Sequence, residues 1–238
     1  MKDASEIGVY DVAGGSDGAL ALIGYALTTD PQRAFFLAWI SPDRAQQNVT
    51  RLNPYVAEAV AIAADGSIWT AGLVNIDDNI PDHDVIRRFD RSGKLLGAFF
   101  PWNADRPRAH PAGSSYLLPS RDRVGWYFPM GKGYVEFSLE GKILGQFRGL
   151  EKDDRQRITG AALSEDNKLV VSRRDYEAKK WEAFALNRTA RSWTPVQVPL
   201  GSGQGSRVLG FDGEDLLASS DSKVISYYKP HKEAGAEH

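Results

Sequence analysis

The feature that most constrains the fold is an internal repeat of 48 residues. The run FDRSGKLLGAF at residues 89–99 returns as FSLEGKILGQF at residues 137–147, with six identities in eleven positions. A weaker copy follows at residues 185–193, and related segments stand at residues 39–44 and 227–232. Repeats of this length indicate one supersecondary unit that is stacked several times along the chain.

Each copy has the pattern of a strand, a tight turn and a second strand. Gly93 and Gly141 stand at the turn, where short hairpins need a positive φ. Alternating apolar residues flank a second series of turns, as Val60, Ile62 and Ile68 do. This second series comprises residues 16–18, 65–66, 121–123, 165–167 and 212–213. Each repeat therefore holds two hairpins, or four strands.

Four-stranded units that repeat every 40 to 50 residues are typical of β-propellers. A β-sandwich supplies similar strands, but its turns do not recur in register. The chain has 23 Gly and 12 Pro and no sustained 3.6-residue period, so we predict an all-β fold. Residues 175–186, the best helical candidate, are predicted to be a loop that leads into a strand.

We predict a single β-propeller domain over residues 1–232 and a polar tail over residues 233–238. Its blades are four-stranded and antiparallel and begin near residues 8, 56, 113, 158 and 205. The strand-like residues 7–10 could instead complete the last blade, so a ring of five blades and a ring of six both stay open.

Composition excludes several classes of function. The 29 basic and 31 acidic residues give a net charge of -2, so no overall field favours nucleic acid or an anionic membrane. The absence of cysteine excludes disulfides, thiolate metal sites and cysteine nucleophiles. The N-terminus has no apolar core of signal-peptide length, and no later stretch approaches the roughly 18 apolar residues of a membrane span. We expect a soluble chain of unknown compartment, periplasmic or secreted if a leader was removed.

Two strings in the second repeat carry a resemblance to a known family. AADGSIW at residues 63–69, followed by IRRFDRSGK at residues 86–94, resembles the blades of bacterial six-bladed propellers of the NHL-like superfamily. The resemblance implies architecture and no particular chemistry. Many such relatives bind proteins or ligands, and a few related propellers are metal-dependent lactonases with Glu, Asn and Asp ligands. This chain matches no such ligand set residue by residue.

The connections between strands predict which face carries a site. In a four-stranded meander both tight turns lie at one end of the sheet, and the longer connections lie at the other. Binding residues concentrate on long loops of a rigid scaffold. One such loop, residues 75–84, is rich in carboxylates, which suit calcium or another divalent metal. The candidate ligands are Asp77, Asp78, Asp82, His83 and Asp84, and the alternative is a solvated acidic loop.

Basic residues on other long connections predict an anion-binding patch, because arginine pairs well with carboxylates and phosphates. The candidates are Arg106, Arg108, His110, Arg173 and Arg174. The alternative is an ordinary charged surface paired with nearby Asp and Glu.

A third group of candidates stands at the start of the innermost strands, where it would line the mouth of a central channel. These residues are Glu58, Ser115, Thr159 and Arg207. Glu58 and Arg207 are predicted to orient a small ligand at this concave site. The alternative is a structural ion pair between Glu58 and Arg207.

No motif of nucleophilic catalysis is present, since the chain lacks a Gly-x-Ser-x-Gly elbow. The first hypothesis is therefore a non-enzymatic binding or scaffolding propeller without a cofactor, which engages a protein or a small ligand through its long-loop face. One alternative is a metal-dependent hydrolase or lactonase with carboxylates at the channel mouth. Another is a structural domain of a longer protein.

Overall fold

The computed structural model describes residues 4–28, 33–74, 82–102, 115–129, 132–151, 155–198, 206–221 and 224–228. The chain divides into two compact units, unit 1 (residues 1–146) and unit 2 (residues 147–238). Within the described ranges there are nineteen β-strands and no α-helix. None of these ranges contains a helix that is long and apolar enough to cross a membrane.

The strands form five antiparallel meanders in chain order. Sheet 1 contains β1 (Glu6–Gly14), β2 (Leu20–Leu27), β3 (Ala34–Ile40) and β4 (Gln47–Arg51). Sheet 2 contains β5 (Tyr55–Ile62), β6 (Ile68–Val74), β7 (His83–Phe89) and β8 (Leu95–Trp102). Sheet 3 contains β9 (Tyr116–Pro119), β10 (Arg123–Phe128), β11 (Gly133–Ser138) and β12 (Ile143–Arg148).

The remaining two sheets belong to unit 2. Sheet 4 contains β13 (Gln156–Leu163), β14 (Leu169–Asp175), β15 (Lys180–Asn187) and β16 (Ser192–Val196). Sheet 5 contains β17 (Arg207–Asp212), β18 (Asp215–Asp221) and β19 (Val224–Tyr228), three strands within the described residues. Residues 176–179 form the turn between β14 and β15, as predicted for that segment.

The all-β propeller fold class predicted from the repeat is confirmed by these meanders. The alternative placement of residues 7–10 in the last blade is wrong, because they lie in β1, the first strand of sheet 1. The extent of the propeller domain, its polar tail and the number of blades that close a ring stay predictions.

The tight turns explain why the weaker repeats still fold as hairpins. Gly93 has a φ of 84° and Gly141 a φ of 94°, as their turns require. Arg44 and Arg191 take positive φ values of 63° and 52° in the corresponding turns of sheets 1 and 4. Asn167, with a φ of 69°, does the same in the first turn of sheet 4. The backbone geometry is therefore kept where the glycine is absent.

The repeat also positions aromatic side chains between neighbouring sheets of unit 1. Trp69 of sheet 2 is fully buried, and its ring stacks on Phe99 at a centroid distance of 5.7 Å. It also contacts Phe137 of sheet 3 at 6.1 Å. Buried aromatic pairs of this kind contribute about 0.5–1.5 kcal/mol beyond the area that they bury. The contact between Trp69 and Phe137 packs sheet 2 against sheet 3.

Candidate functional site

Four of the first strands carry a β-bulge at an equivalent position. The pairing with the second strand skips one residue in β1, β5, β13 and β17. A bulge leaves one residue unpaired and redirects its side chain, which is why bulges often lie beside sites. The skipped residues are Tyr10, Glu58, Thr159 and Leu209.

A cavity of about 750 Å³ lies in unit 1 along the first strands of its three sheets. Residues within segments 10–14, 56–62 and 115–119 form its wall. Its volume lies in the range of small-molecule sites, roughly 300–1,000 Å³. Glu58 and Ser115, two of the predicted channel residues, both line it. The structure thus brings these two candidates together, and their binding of a ligand stays a prediction.

Glu58 is the side chain that the bulge of β5 presents to this cavity. Its Oε2 atom is buried and has no hydrogen-bond partner among the residues that the structure describes. Burial raises the pKa of the Glu58 carboxyl from its ordinary value of 4.5 to about 7. A carboxyl with such a pKa exchanges its proton near neutral pH.

Asp11 is a second carboxyl group in the same wall. Its Oδ2 accepts a hydrogen bond from the Val60 amide and its Oδ1 one from the Val12 amide, both at 2.9 Å. Burial raises the pKa of Asp11, and these two amide bonds lower it by a smaller amount. Asp11 therefore joins sheet 1 to sheet 2 beside Glu58, with both of its oxygens engaged.

Aromatic and hydroxyl groups complete the wall. Tyr10, at the bulge of β1, lies 5.5 Å from Tyr25 by ring centroids. The indole Nε1 of Trp126 donates a hydrogen bond to Ser115 Oγ at 2.5 Å. Tyr116 follows Ser115 and also lines the cavity. The wall thus combines two carboxyls and two phenols with an apolar surface from β5 and β9.

Unit 2 contains an equivalent arrangement without a carboxyl group. Thr159, at the bulge of β13, donates a hydrogen bond to Ser172 Oγ at 3.0 Å. The Val208 amide donates to the same oxygen at 2.9 Å, so Ser172 joins sheets 4 and 5 much as Asp11 joins sheets 1 and 2. Arg207 is the first residue of β17 and is exposed.

Two predicted anion ligands, Arg173 and Arg174, have partners within unit 2. Arg173 is 8% exposed and donates to Gln156 Oε1 at 3.0 Å and to Glu182 Oε2 at 2.7 Å. Arg174 lies 4.5 Å from the ring centroids of both Tyr176 and Trp181. These contacts describe a packed cluster, and anion binding by it stays a prediction. Arg106, Arg108 and His110 lie outside the described residues.

Only part of the predicted metal loop is described. His83 begins β7, and its Nε2 accepts a hydrogen bond from the Val74 amide at 3.2 Å. Asp82 is exposed and Asp84 is half-buried, whereas Asp77 and Asp78 lie outside the described residues. Across the described ranges no group of three or more His, Cys, Asp or Glu side chains could hold a metal ion. Metal binding by the whole loop stays a prediction.

Comparisons with known proteins give structural neighbours only. No protein-family model matches the chain, and no curated protein sequence matches it significantly. An oligogalacturonate lyase in complex with manganese matches with a TM-score of 0.51 and 10% identity, over 98% of this chain and 84% of that chain. A glucose dehydrogenase has a TM-score of 0.43 and 12% identity, over 92% and 81% of the two chains.

The match to the lyase corrects the first functional hypothesis. A non-enzymatic binding or scaffolding role is contradicted, because the lyase that matches almost the whole chain is an enzyme. At 10% identity the likeness shows the fold alone. The scaffold hypothesis is therefore not carried further, and any enzymatic role has to be argued from the residues of this chain.

Proposed function

We propose that the chain is an enzyme that acts on a small molecule in the cavity of unit 1, with Glu58 as its proton-transferring group. The observation that carries the proposal is the Glu58 carboxyl, which lines a cavity of substrate size and whose buried Oε2 atom has no hydrogen-bond partner among the described residues. A buried acceptor without a partner costs about 1–3 kcal/mol. A donor on a bound molecule would remove that cost once the carboxyl group turned Oε2 toward the cavity.

The proton affinity of Glu58 supports this role. A general base or acid works best when its pKa lies near the working pH, and burial brings the pKa of Glu58 to about 7. Val56 and Val60 flank Glu58 in the wall and contribute to its low-dielectric surroundings. Asp11 differs, because two backbone amides already bind its oxygens.

Ester or lactone hydrolysis is the reaction that we assign to this site. Ionised Glu58 accepts a proton from water while the water oxygen bonds to the carbonyl carbon. The carbon–oxygen bond to the leaving group then breaks, and protonated Glu58 returns its proton to the leaving oxygen. The products are a carboxylic acid and an alcohol, and Glu58 ends in its starting state.

A metal-dependent form of this reaction does not fit the described donors. Among the residues that line the cavity, Asp11 and Glu58 are the carboxyl groups, fewer than the three protein ligands of a typical catalytic zinc site. The described ranges hold no group of three metal-ligating side chains. We therefore assign no step to manganese, the metal named with the oligogalacturonate lyase.

We also infer that the chain is a bacterial six-bladed propeller of the NHL-like superfamily. The strings at residues 63–69 and 86–94 support this inference. An experimental structure of the full chain with five closed blades would contradict it.

The experiment is a turnover screen with aryl esters and with γ- and δ-lactones, for the wild type and for Glu58→Gln. Substitution of Glu58 should lower kcat/KM by about 100-fold or more. The control is Glu214→Gln, which removes an exposed carboxyl from the turn between β17 and β18 and should leave kcat/KM unchanged.

The pH profile and a chelator complete the screen. Because the base acts when ionised, kcat/KM of the wild type should rise as the pH increases through about 7. EDTA should leave the rate unchanged. The proposal fails if the wild type hydrolyses none of these substrates, or if it hydrolyses them no faster than Glu58→Gln.

A further inference from the structure

The charge of the cavity wall indicates which ligands unit 1 accepts. Asp11 and Glu58 are the carboxyl groups of the wall, and no Lys, Arg or His is found among the described residues that line it. An anion would therefore approach two carboxyl groups without a described counter-charge. Like charges a few ångströms apart repel one another at the dielectric of a protein surface.

Aromatic groups in the same wall favour the opposite charge. Tyr10 and Tyr116 both line the cavity. Tyrosine rings attract organic cations through their faces. Apolar side chains of β5 and β9, including Val56, Val60 and Leu117, provide a surface for the uncharged part of such a molecule.

We infer that the cavity binds an organic cation, a protonated amine with an apolar body, and that it disfavours carboxylates and phosphates. This inference rests on the proposed function, since it concerns the same site. An ionised carboxylate has about four acceptor positions, so Asp11 retains capacity for an ammonium donor beside its two amide bonds. The Glu58 carboxyl, which lines the same cavity, then serves the group that reacts.

The test uses three probes that share one ring and differ in charge: benzylammonium, benzyl alcohol and benzoate. Each is titrated into the full chain at about pH 8, where Glu58 is mostly ionised. Binding is followed by NMR of valine and leucine methyl groups, with Val56, Val60 and Leu117 as reporters of the cavity. Benzylammonium should bind at least about tenfold more tightly than benzoate, and benzyl alcohol should lie between them.

Two variants show whether the wall charge causes this order. Glu58→Gln should lower the ratio of benzylammonium to benzoate affinity several-fold, and Glu214→Gln should not change it. Asp11→Asn should lower the ratio as well. If Asp11→Asn does not fold, the result for Glu58→Gln alone decides the test. A benzoate affinity equal to or above that of benzylammonium overturns the inference, as do methyl shifts that avoid the cavity reporters.

Failure of this inference is distinguishable from failure of the proposed function. If benzoate binds best but Glu58→Gln still abolishes ester or lactone turnover, the ligand class is wrong and the enzyme role stands. If benzylammonium binds best while no ester or lactone is hydrolysed, the enzyme role is wrong and the ligand class stands.

Discussion

Glu58→Gln tests the environment of the candidate site through the stability of the protein. The pKa of Glu58 is about 7 in the folded chain, against an ordinary value of 4.5. The folded state therefore binds the proton more tightly than the unfolded state does. This tighter proton binding stabilises the folded state. The stabilisation is fully present below about pH 4.5 and is lost as the pH rises through about 7. Glutamine is uncharged throughout, so the variant does not share this loss.

The size of the effect follows from the difference between the two pKa values. A difference of this size corresponds to about 3 kcal/mol. The partial exposure of the side chain and screening by solvent reduce the expected value to about 2 kcal/mol. Between about pH 4.5 and 8, the wild type should therefore lose about 2 kcal/mol of unfolding free energy relative to Glu58→Gln.

Urea unfolding across this pH range measures the effect directly. The four histidines of the chain are common to both proteins, so their titration cancels in the difference. Glu214→Gln is the matched control, and its difference from the wild type should show no such trend. If the unfolding free energies of the wild type and Glu58→Gln change with pH in parallel, burial does not raise the pKa of Glu58 in the folded state.

Two further variants test the contacts around Glu58. Asp11→Ala should lower the unfolding free energy by about 2 kcal/mol, because the buried Val60 amide loses its acceptor, as urea unfolding will show. Gly72→Ala should destabilise the fold by more than about 2 kcal/mol in the same assay, because its Cβ would lie 2.1 Å from Val56 O. Gly14→Ala is the control, because a Cβ at residue 14 would meet nothing within 4 Å. Equal losses of unfolding free energy in the two glycine variants would contradict the close packing of Gly72 beside the bulge.

The fold was predictable because turn-forming residues recur in the sequence at regular intervals. Gly93 and Gly141 mark hairpins that the structure contains at those positions. The positive φ of Arg44 and Arg191 was not predictable, since arginine rarely adopts it. In those turns the pairing of the flanking strands determines the backbone, and the local residue type does not reveal it.

The candidate site was predictable only in part. Glu58 and Ser115 could be predicted because the repeat places each of them near the start of the innermost strand of its own repeat. Asp11 was missed, because its role depends on the Val60 amide, which lies 49 residues away on the next sheet. One signal was available: Tyr10, beside Asp11, stands one repeat of 48 residues before Glu58.

The positions of the bulges could not be predicted from the sequence either. An alternating strand pattern predicts which residues share a face, but a bulge shifts that pattern by one residue. The shift between Ala57 and Ala59 is what presents Glu58 to the cavity. Gly72, which leaves room for the Val56 carbonyl, is visible in the sequence, but its purpose is clear only from the paired strands.

The most direct test of the account is an NMR titration of the side-chain carboxyl carbons of ¹³C-labelled glutamate, with Glu58→Gln used to assign the Glu58 signal. The Glu58 carboxyl should titrate with a midpoint at about pH 7. A midpoint at its ordinary value of 4.5 would show a solvated carboxylate and would contradict the proposed role of Glu58 in proton transfer.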